Sequence, residues 1–254
     1  MEFRIKIAGR VGAVAPLFES TAQYFRAYLT EDTADFSVAV TSDSLVFEQA
    51  ELDAEAQLEG FRRRQFTDPF LERTAIQRAF AEHLIDHDTL LIHGSTVAVD
   101  GRAYLFTARS GTGKSTHTKL WREVFGSRAV MINDDKPFLQ LRSDGVYACG
   151  SPWSGKHGLD SNLTLPLQGI CILERGGKDR IRPITAEEAL PMLLHQSYKP
   201  LSDAKAGQFE QLVTTLSQAV PLWQMDCTKS PDAALVAHGA MANATYHPFY
   251  PTMR

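Results

Sequence analysis

The chain has only three cysteines, Cys149, Cys171 and Cys227, in 254 residues. They are odd in number, widely spaced and form no C-x-x-C pair, which argues against a disulfide framework, a zinc knuckle or a redox couple. Long apolar runs are also lacking. The longest stretches fall far short of the roughly 20 residues of a membrane helix, and Met1-Glu-Phe-Arg-Ile-Lys6 lacks the apolar segment of a signal peptide. The expectation is a cytoplasmic protein without a membrane partner. There is no excess of basic charge: 26 Lys and Arg face 30 Asp and Glu, for a net charge of −4. No global positive field is available to hold a nucleic acid. With 44% hydrophobic residues the chain can bury a substantial core.

Alternation at residues 2 to 8 and 36 to 40 predicts two strands. Between them Pro16 opens a helix with Phe18, Thr21, Phe25 and Tyr28 or Leu29 at helical spacing. The run Phe61-Arg-Arg-Arg-Gln-Phe66 reads either as an anion site or as a solvated linker. A helix from about Pro69 to Ile85 carries Ile76, Phe80 and Leu84 on its core face. The expected organisation is a small α/β lobe over residues 1–68 and a second domain over residues 69–254.

The chemistry is concentrated after that helix. Strands at Leu90–His93, Ser95–Val99 and Tyr104–Thr107, the last two joined at Asp100-Gly101, lead into Ala108-Arg-Ser-Gly-Thr-Gly-Lys-Ser-Thr116 and a helix to Phe125. This is the pattern of a phosphate-binding loop. Gly111 and Gly113 let backbone N–H groups close on phosphate oxygens, together with Arg109, Ser110, Thr112 and Thr116, at a helix N-terminus. Lys114 can reach the β and γ phosphates and Ser115 can ligate Mg²⁺. Ala108 replaces the glycine of the strict pattern. About 20 residues beyond Lys114, the apolar strand Arg128–Asn133 ends in Asp134 and Asp135. One carboxylate can hold the metal or its waters while the other accepts a proton from an attacking hydroxyl; the same Asn-Asp-Asp also makes a good turn.

His93-Gly94 stands at a strand end upstream. Downstream, Gly150-Ser-Pro-Trp-Ser-Gly-Lys156-His157 reads either as an acceptor-binding loop with Trp153 and Lys156 exposed, or as a structural loop anchored by Trp153. Arg175, Lys178, Arg180, Arg182 and Arg109 are candidates for the cation that neutralises a transferred phosphoryl group. Further helices are expected after Thr185-x-x-Glu188, over Phe209–Ala219 and after Pro231, with a strand at Leu222–Cys227. The tail Tyr246-His-Pro-Phe-Tyr-Pro251 is expected to lie along the surface or across a neighbouring subunit.

Taken together, His93-Gly94, Ser110-Gly-Thr-Gly-Lys-Ser-Thr116 and Asn133-Asp-Asp135, in this order and with a hairpin before the loop, resemble the HPr kinase/phosphorylase and ATP-dependent phosphoenolpyruvate carboxykinase type of P-loop fold. The resemblance spans roughly residues 88 to 175. It implies an α/β fold, a P-loop nucleotide-binding core with the small N-terminal lobe beside it. It also implies ATP and Mg²⁺ as cofactors, with His93 supporting the catalytic carboxylate, Lys114 and Ser115 on phosphates and metal, Asp134 at the metal and Asp135 as base. Self-assembly into a homo-oligomer is a further implication. Gly150–Lys156 stands where HPr kinases carry an Arg-Gly-rich signature, so the acceptor reads as a hydroxyl of a peptide serine or of a small molecule. The other reading is a nucleotide-binding regulator or assembly factor with little turnover.

Overall fold

The computed structural model describes residues 2–58 and 60–243. The first alternating segment folds as a hairpin, in which β1 (Phe3–Ile7) turns at Ala8 and Gly9 into β2 (Arg10–Ala15). β2 was not expected. Its residues Val11 to Val14 are all buried, so the period-2 signature of a strand is missing from Val-Gly-Ala-Val. β2 pairs in parallel with β3 (Phe36–Ala39). The helix expected from Pro16 is reduced to α1 (Ser20–Tyr24) and a 3₁₀ turn at Arg26–Tyr28. The spacing nevertheless picked the right inward residues, since Thr21, Phe25 and Tyr28 are buried. The Glu72 carboxylate accepts from the Leu17 and Phe18 N–H groups ahead of the helix and from the Thr21 hydroxyl within it.

Two longer helices complete this unit. In α2 (Ser42–Leu58) only Leu45 and Glu48 are buried, so there is no apolar stripe to read in the sequence. In α3 (Asp68–Ile85) Arg78 binds the buried Glu48 through two hydrogen bonds of 2.6 and 2.9 Å. The three arginines 62–64 lie exposed between α2 and α3, as a solvated linker. The chain divides between Leu84 and Ile85, whereas the sequence reading began the second domain at residue 69. α3 sits in the first unit because it packs directly on β2. A side chain on Gly12 would come within 2.5 Å of the Phe80 ring, which also meets Phe36 edge-on.

The second unit is built on β4 (Thr89–Leu91), β5 (Ser95–Val99), β6 (Arg102–Thr107), α4 (Lys114–Phe125), β7 (Ala129–Asn133), β8 (Phe138–Arg142), β9 (Gly145–Cys149), β10 (Thr164–Arg175), β11 (Arg180–Pro183), α5 (Ala186–Gln196), α6 (Asp203–Ala219), β12 (Leu222–Cys227) and α7 (Asp232–Met241). The strand order is β4-β8-β9-β10-β6-β5-β7, with β12 also beside β10 and β11 at its far edge. The long β10 is shared between partners: its first residues pair antiparallel with β9 and its last in parallel with β12.

Alternation along the central strands sends side chains into two cores. Ala103, Leu105, Ile170 and Ile172 pack with α5 and α6 residues, while Tyr104, Phe106, Cys171 and Leu173 pack with Trp121 of α4 and Ala233, Ala234 and Ala237 of α7. The expected α/β class is therefore observed. The remaining connection is decisive for the site: β5 runs antiparallel to both β6 and β7. β6 and β7 accordingly point the same way, and their carboxyl ends share an edge with the amino end of β5. The aromatic and proline tail from Tyr246 lies outside the described residues.

Candidate functional site

At that edge β6 runs into the glycine loop, residues 108–113. Gly111 and Gly113 take φ of 74° and 124°, conformations that a side chain disfavours, and no atom of the fold crowds either position. α4 then starts at Lys114 with no side chain capping it and no acidic residue in its first turn. α5, by contrast, has a full capping box from Thr185 and Glu188. The first-turn N–H groups of α4 and its positive end suit an anion. Lys114 is buried and its Nζ donates to the Ala108 carbonyl at 3.0 Å, bridging the two ends of the loop. That carbonyl is the observed use of position 108, where alanine is accommodated. Arg175, at the end of β10, donates to the carbonyls of Gly111 and Thr112. It is the member of the basic cluster that reaches the loop, whereas Arg182 is engaged with Glu188 and Gln224. Arg109, Ser110, Gly111 and Thr116 are exposed, while Thr112, Gly113 and Ser115 are half-buried.

The carboxylates stand at the end of β7. The buried Asn133 accepts on its Oδ1 from the Asp135 and Lys136 N–H groups at 2.8 and 2.6 Å, a side-chain-closed turn. Its Nδ2 donates to the carbonyls of Ser151 and Trp153. The Asn-Asp-Asp turn and the carboxylate pair thus coexist. Asp134 points inward, with 6% of the residue exposed, and accepts from Ser95 Oγ at 2.7 Å. Asp135 keeps 33% of its side chain exposed and meets His93 Nε2 at 3.3 Å. The backbone repeats the contact, since Gly94 N–H donates to the Asp135 carbonyl at 3.0 Å.

Burial pushes the His93 pKa down to about 2, with the positive charges of Lys136, Lys114 and His195 adding to the effect. The ring is neutral, so its 3.3 Å approach to Asp135 Oδ1 is a close polar contact rather than an ion pair. Burial raises the Asp135 pKa, Asp134 raises it further, and Lys136 and Lys114 oppose the rise. A carboxylate shifted upward in this way is a better proton acceptor than an ordinary aspartate. The charge of Lys114 is felt at both His93 and Asp135, so the three sequence motifs share one electrostatic neighbourhood.

The segment 150–161 lies against the same carboxylate. A side chain at Gly150 would overlap the Ser161 carbonyl at 1.8 Å, and Ser154 Oγ donates to Asp160 at 2.6 Å. Trp153 is 6% exposed and meets the Phe138 ring edge-on. Of the two readings of this segment, exposure of Trp153 in a binding loop is corrected and the structural one holds for this residue: the indole is the anchor of the segment. Gly155 takes φ of 67°, and a Cβ there would lie 3.2 Å from the Asp135 Cβ. The 3₁₀ turn Gly155–His157 follows, with Lys156 and His157 exposed.

Sequence reading missed Ser95, Thr118 and the contacts of Asn133 and Arg175. Ser95 adjoins His93-Gly94 and Asn133 adjoins the aspartates, so proximity was their only signal. Among the described residues no group of three or more His, Cys, Asp or Glu side chains could hold a metal ion, and no helix is long and apolar enough to cross a membrane.

No family model matches the chain, and none of the curated proteins does. Among solved structures, the HPr(Ser) kinase/phosphatase from Coxiella burnetii matches at 10% identity and a TM-score of 0.37, over 59% of this chain and 95% of that one.

Proposed function

We propose that the chain is an ATP- and Mg²⁺-dependent phosphotransferase that moves the γ-phosphoryl group to a hydroxyl of a peptide serine or of a small molecule. The observation that carries this reading is the convergence at one sheet edge of an uncapped helix start behind a glycine loop, a buried lysine, and two aspartates in unlike environments. The N–H groups of residues 111 to 116 and Lys114 hold the phosphates. Ser115 and Asp134 fit Mg²⁺, which takes one or two protein oxygens and completes its shell with phosphate oxygens and water. When bound, the ion neutralises charge on the β and γ phosphates.

Asp135 stands at the open side and takes the proton of the acceptor hydroxyl as that oxygen forms its bond to phosphorus and the bond to the β-phosphate oxygen breaks, releasing ADP. The neutral His93, 3.3 Å from Asp135 Oδ1, flanks the carboxylate without an ion pair that would lower its basicity. Lys156 follows Gly155, the residue beside Asp135, on an exposed turn, which supports it as the residue that would meet the acceptor.

The test is ADP release from Mg·ATP by the purified protein with pooled hydroxyl metabolites and, separately, serine peptides, using Asp135→Asn as the blank. Acceptor-stimulated release that falls about 10²-fold or more in the variant is expected. ATP binding without acceptor-stimulated release would make the chain a nucleotide-binding regulator instead.

A further inference from the structure

Between the first turn of α4 and Asp134 lies a connection made entirely of buried side chains. Ser95 Oγ is 2.7 Å from Asp134 Oδ1 and 2.7 Å from Thr118 Oγ1. All three residues are buried. Thr118 is four residues beyond Lys114 and three beyond Ser115, on the same helix face, and its hydroxyl lies 3.4 and 3.3 Å from their carbonyls.

Proton counting gives this chain a direction. A hydroxyl has one hydrogen to donate. The Asp134 carboxylate only accepts, so the Ser95 hydrogen goes to it. Ser95 must then accept from Thr118, whose hydrogen goes to Ser95 at 2.7 Å in preference to carbonyls more than half an ångström farther away. The order is Thr118 to Ser95 to Asp134. It occupies Oδ1 of Asp134 and fixes the carboxylate rotamer relative to the helix turn that carries Ser115.

We infer that Ser95 and Thr118 are a positioning pair that sets the separation of the two protein oxygens offered to Mg²⁺, those of Ser115 and Asp134. The inference rests on the phosphotransferase reading and assigns a metal-affinity role to two residues outside the three motifs. Both residues are buried and offer no surface to nucleotide or acceptor.

The experiment is the Mg²⁺ concentration that gives half-maximal ADP binding, followed by calorimetry, in wild type, Thr118→Val, Thr118→Ser, Ser95→Ala and the Ser95→Ala/Thr118→Val double variant. No turnover enters the readout. Loss of a buried hydrogen bond of ordinary strength predicts about a fivefold rise in the Mg²⁺ requirement for Thr118→Val and Ser95→Ala. Thr118→Ser keeps the hydroxyl and is expected to match wild type. The double variant is expected to be no worse than Ser95→Ala alone, because the two act through one chain of bonds. Thr118→Val indistinguishable from Thr118→Ser, or full additivity in the double variant, overturns the pair. Should Ser95→Ala not fold, the valine and serine variants at 118 decide alone. Wild-type ADP binding indifferent to Mg²⁺ overturns the phosphotransferase reading and the pair with it.

Discussion

Asp134 and Asp135 are consecutive, and a strand end turns them to opposite surroundings: one under the Ser95 hydroxyl, the other toward solvent beside a neutral imidazole. The raised pKa of Asp135 has a stability consequence. In the folded protein its protonated form is favoured relative to the unfolded chain. The stabilisation is therefore present at low pH and lost as pH rises through the folded value, so at neutral pH the ionised carboxylate is a net burden. Asp135→Asn is expected to melt at a higher temperature than wild type at pH 7.5 while losing turnover, measured by calorimetric scanning alongside ADP release. An unchanged or lower melting temperature would remove the argument for a desolvated base. The lysine and the aspartates are legible in the sequence because each sits in a motif with a chemical requirement, whereas His93-Gly94 enters only through the family resemblance, since a lone histidine at a strand end carries no such requirement. Ser95 and Thr118 are not, since hydroxyl residues occur everywhere and only the antiparallel placement of β5 brings these two to Asp134. Trp153 had two readings, an exposed binding residue or the anchor of its loop, and the Phe138 ring that decides for the anchor is 15 positions away in sequence.

Elements were legible where one local signal dominated. Asp100-Gly101 takes φ of 51° and 77°, the double left-handed geometry of a two-residue hairpin turn, and β5, β6, α4, β7 and β12 lie close to their expected ranges. β2, α2 and β11 escaped because burial on both faces, a helix whose apolar residues gather on no one face and a four-residue edge strand leave no period to read. The turn at Gly155 invites a test at this scale. A methyl group there meets both a left-handed backbone and the Asp135 side chain at 3.2 Å. Gly155→Ala is expected to destabilise the fold by about 1 kcal/mol. By displacing Asp135 it should also lower kcat about tenfold, with the KM for ATP unchanged. Urea unfolding and steady-state kinetics measure the two effects, and a full-rate variant would detach the segment from Asp135 function. At the other end of the sheet Thr185→Ala, which removes a complete capping box, is expected to lower stability by about 1 kcal/mol in urea unfolding and leave turnover intact.

For the molecule as a whole, acid is the informative stress. His117 is buried on α4 and accepts from the Trp121 indole N–H at 3.1 Å through Nε2, so protonation there breaks a hydrogen bond. Burial lowers its pKa to about 4, with Asp179 opposing the shift. A depressed histidine contributes stability that is present above the unfolded value near 6.5 and is lost as pH falls toward the folded value. That amounts to about 3 kcal/mol from pH 6.5 to 4. His238, also lowered by burial, acts with the same sign. Urea midpoints between pH 7.5 and 4.5 are expected to fall more steeply in wild type than in His117→Gln; parallel profiles would show that His117 titrates normally.

At the same scale the topology explains the site. Only with β5 inserted antiparallel between β6 and β7 do the glycine loop, His93 and the aspartates reach one edge. The strand alternation and the motif order implied an α/β unit of this kind. The division of the chain after α3 was not legible, because the Phe80 contacts that hold this helix to β2 depend on long-range packing.

The central claim is that this edge binds nucleotide phosphates through the glycine loop and Lys114. Titration calorimetry of Mg·ATP into wild type and Lys114→Ala tests it most directly. Saturable one-to-one binding to wild type, weakened about tenfold or more in the variant as a charge-assisted phosphate contact requires, is the predicted result. No binding to wild type, or equal affinity for both proteins, would contradict it.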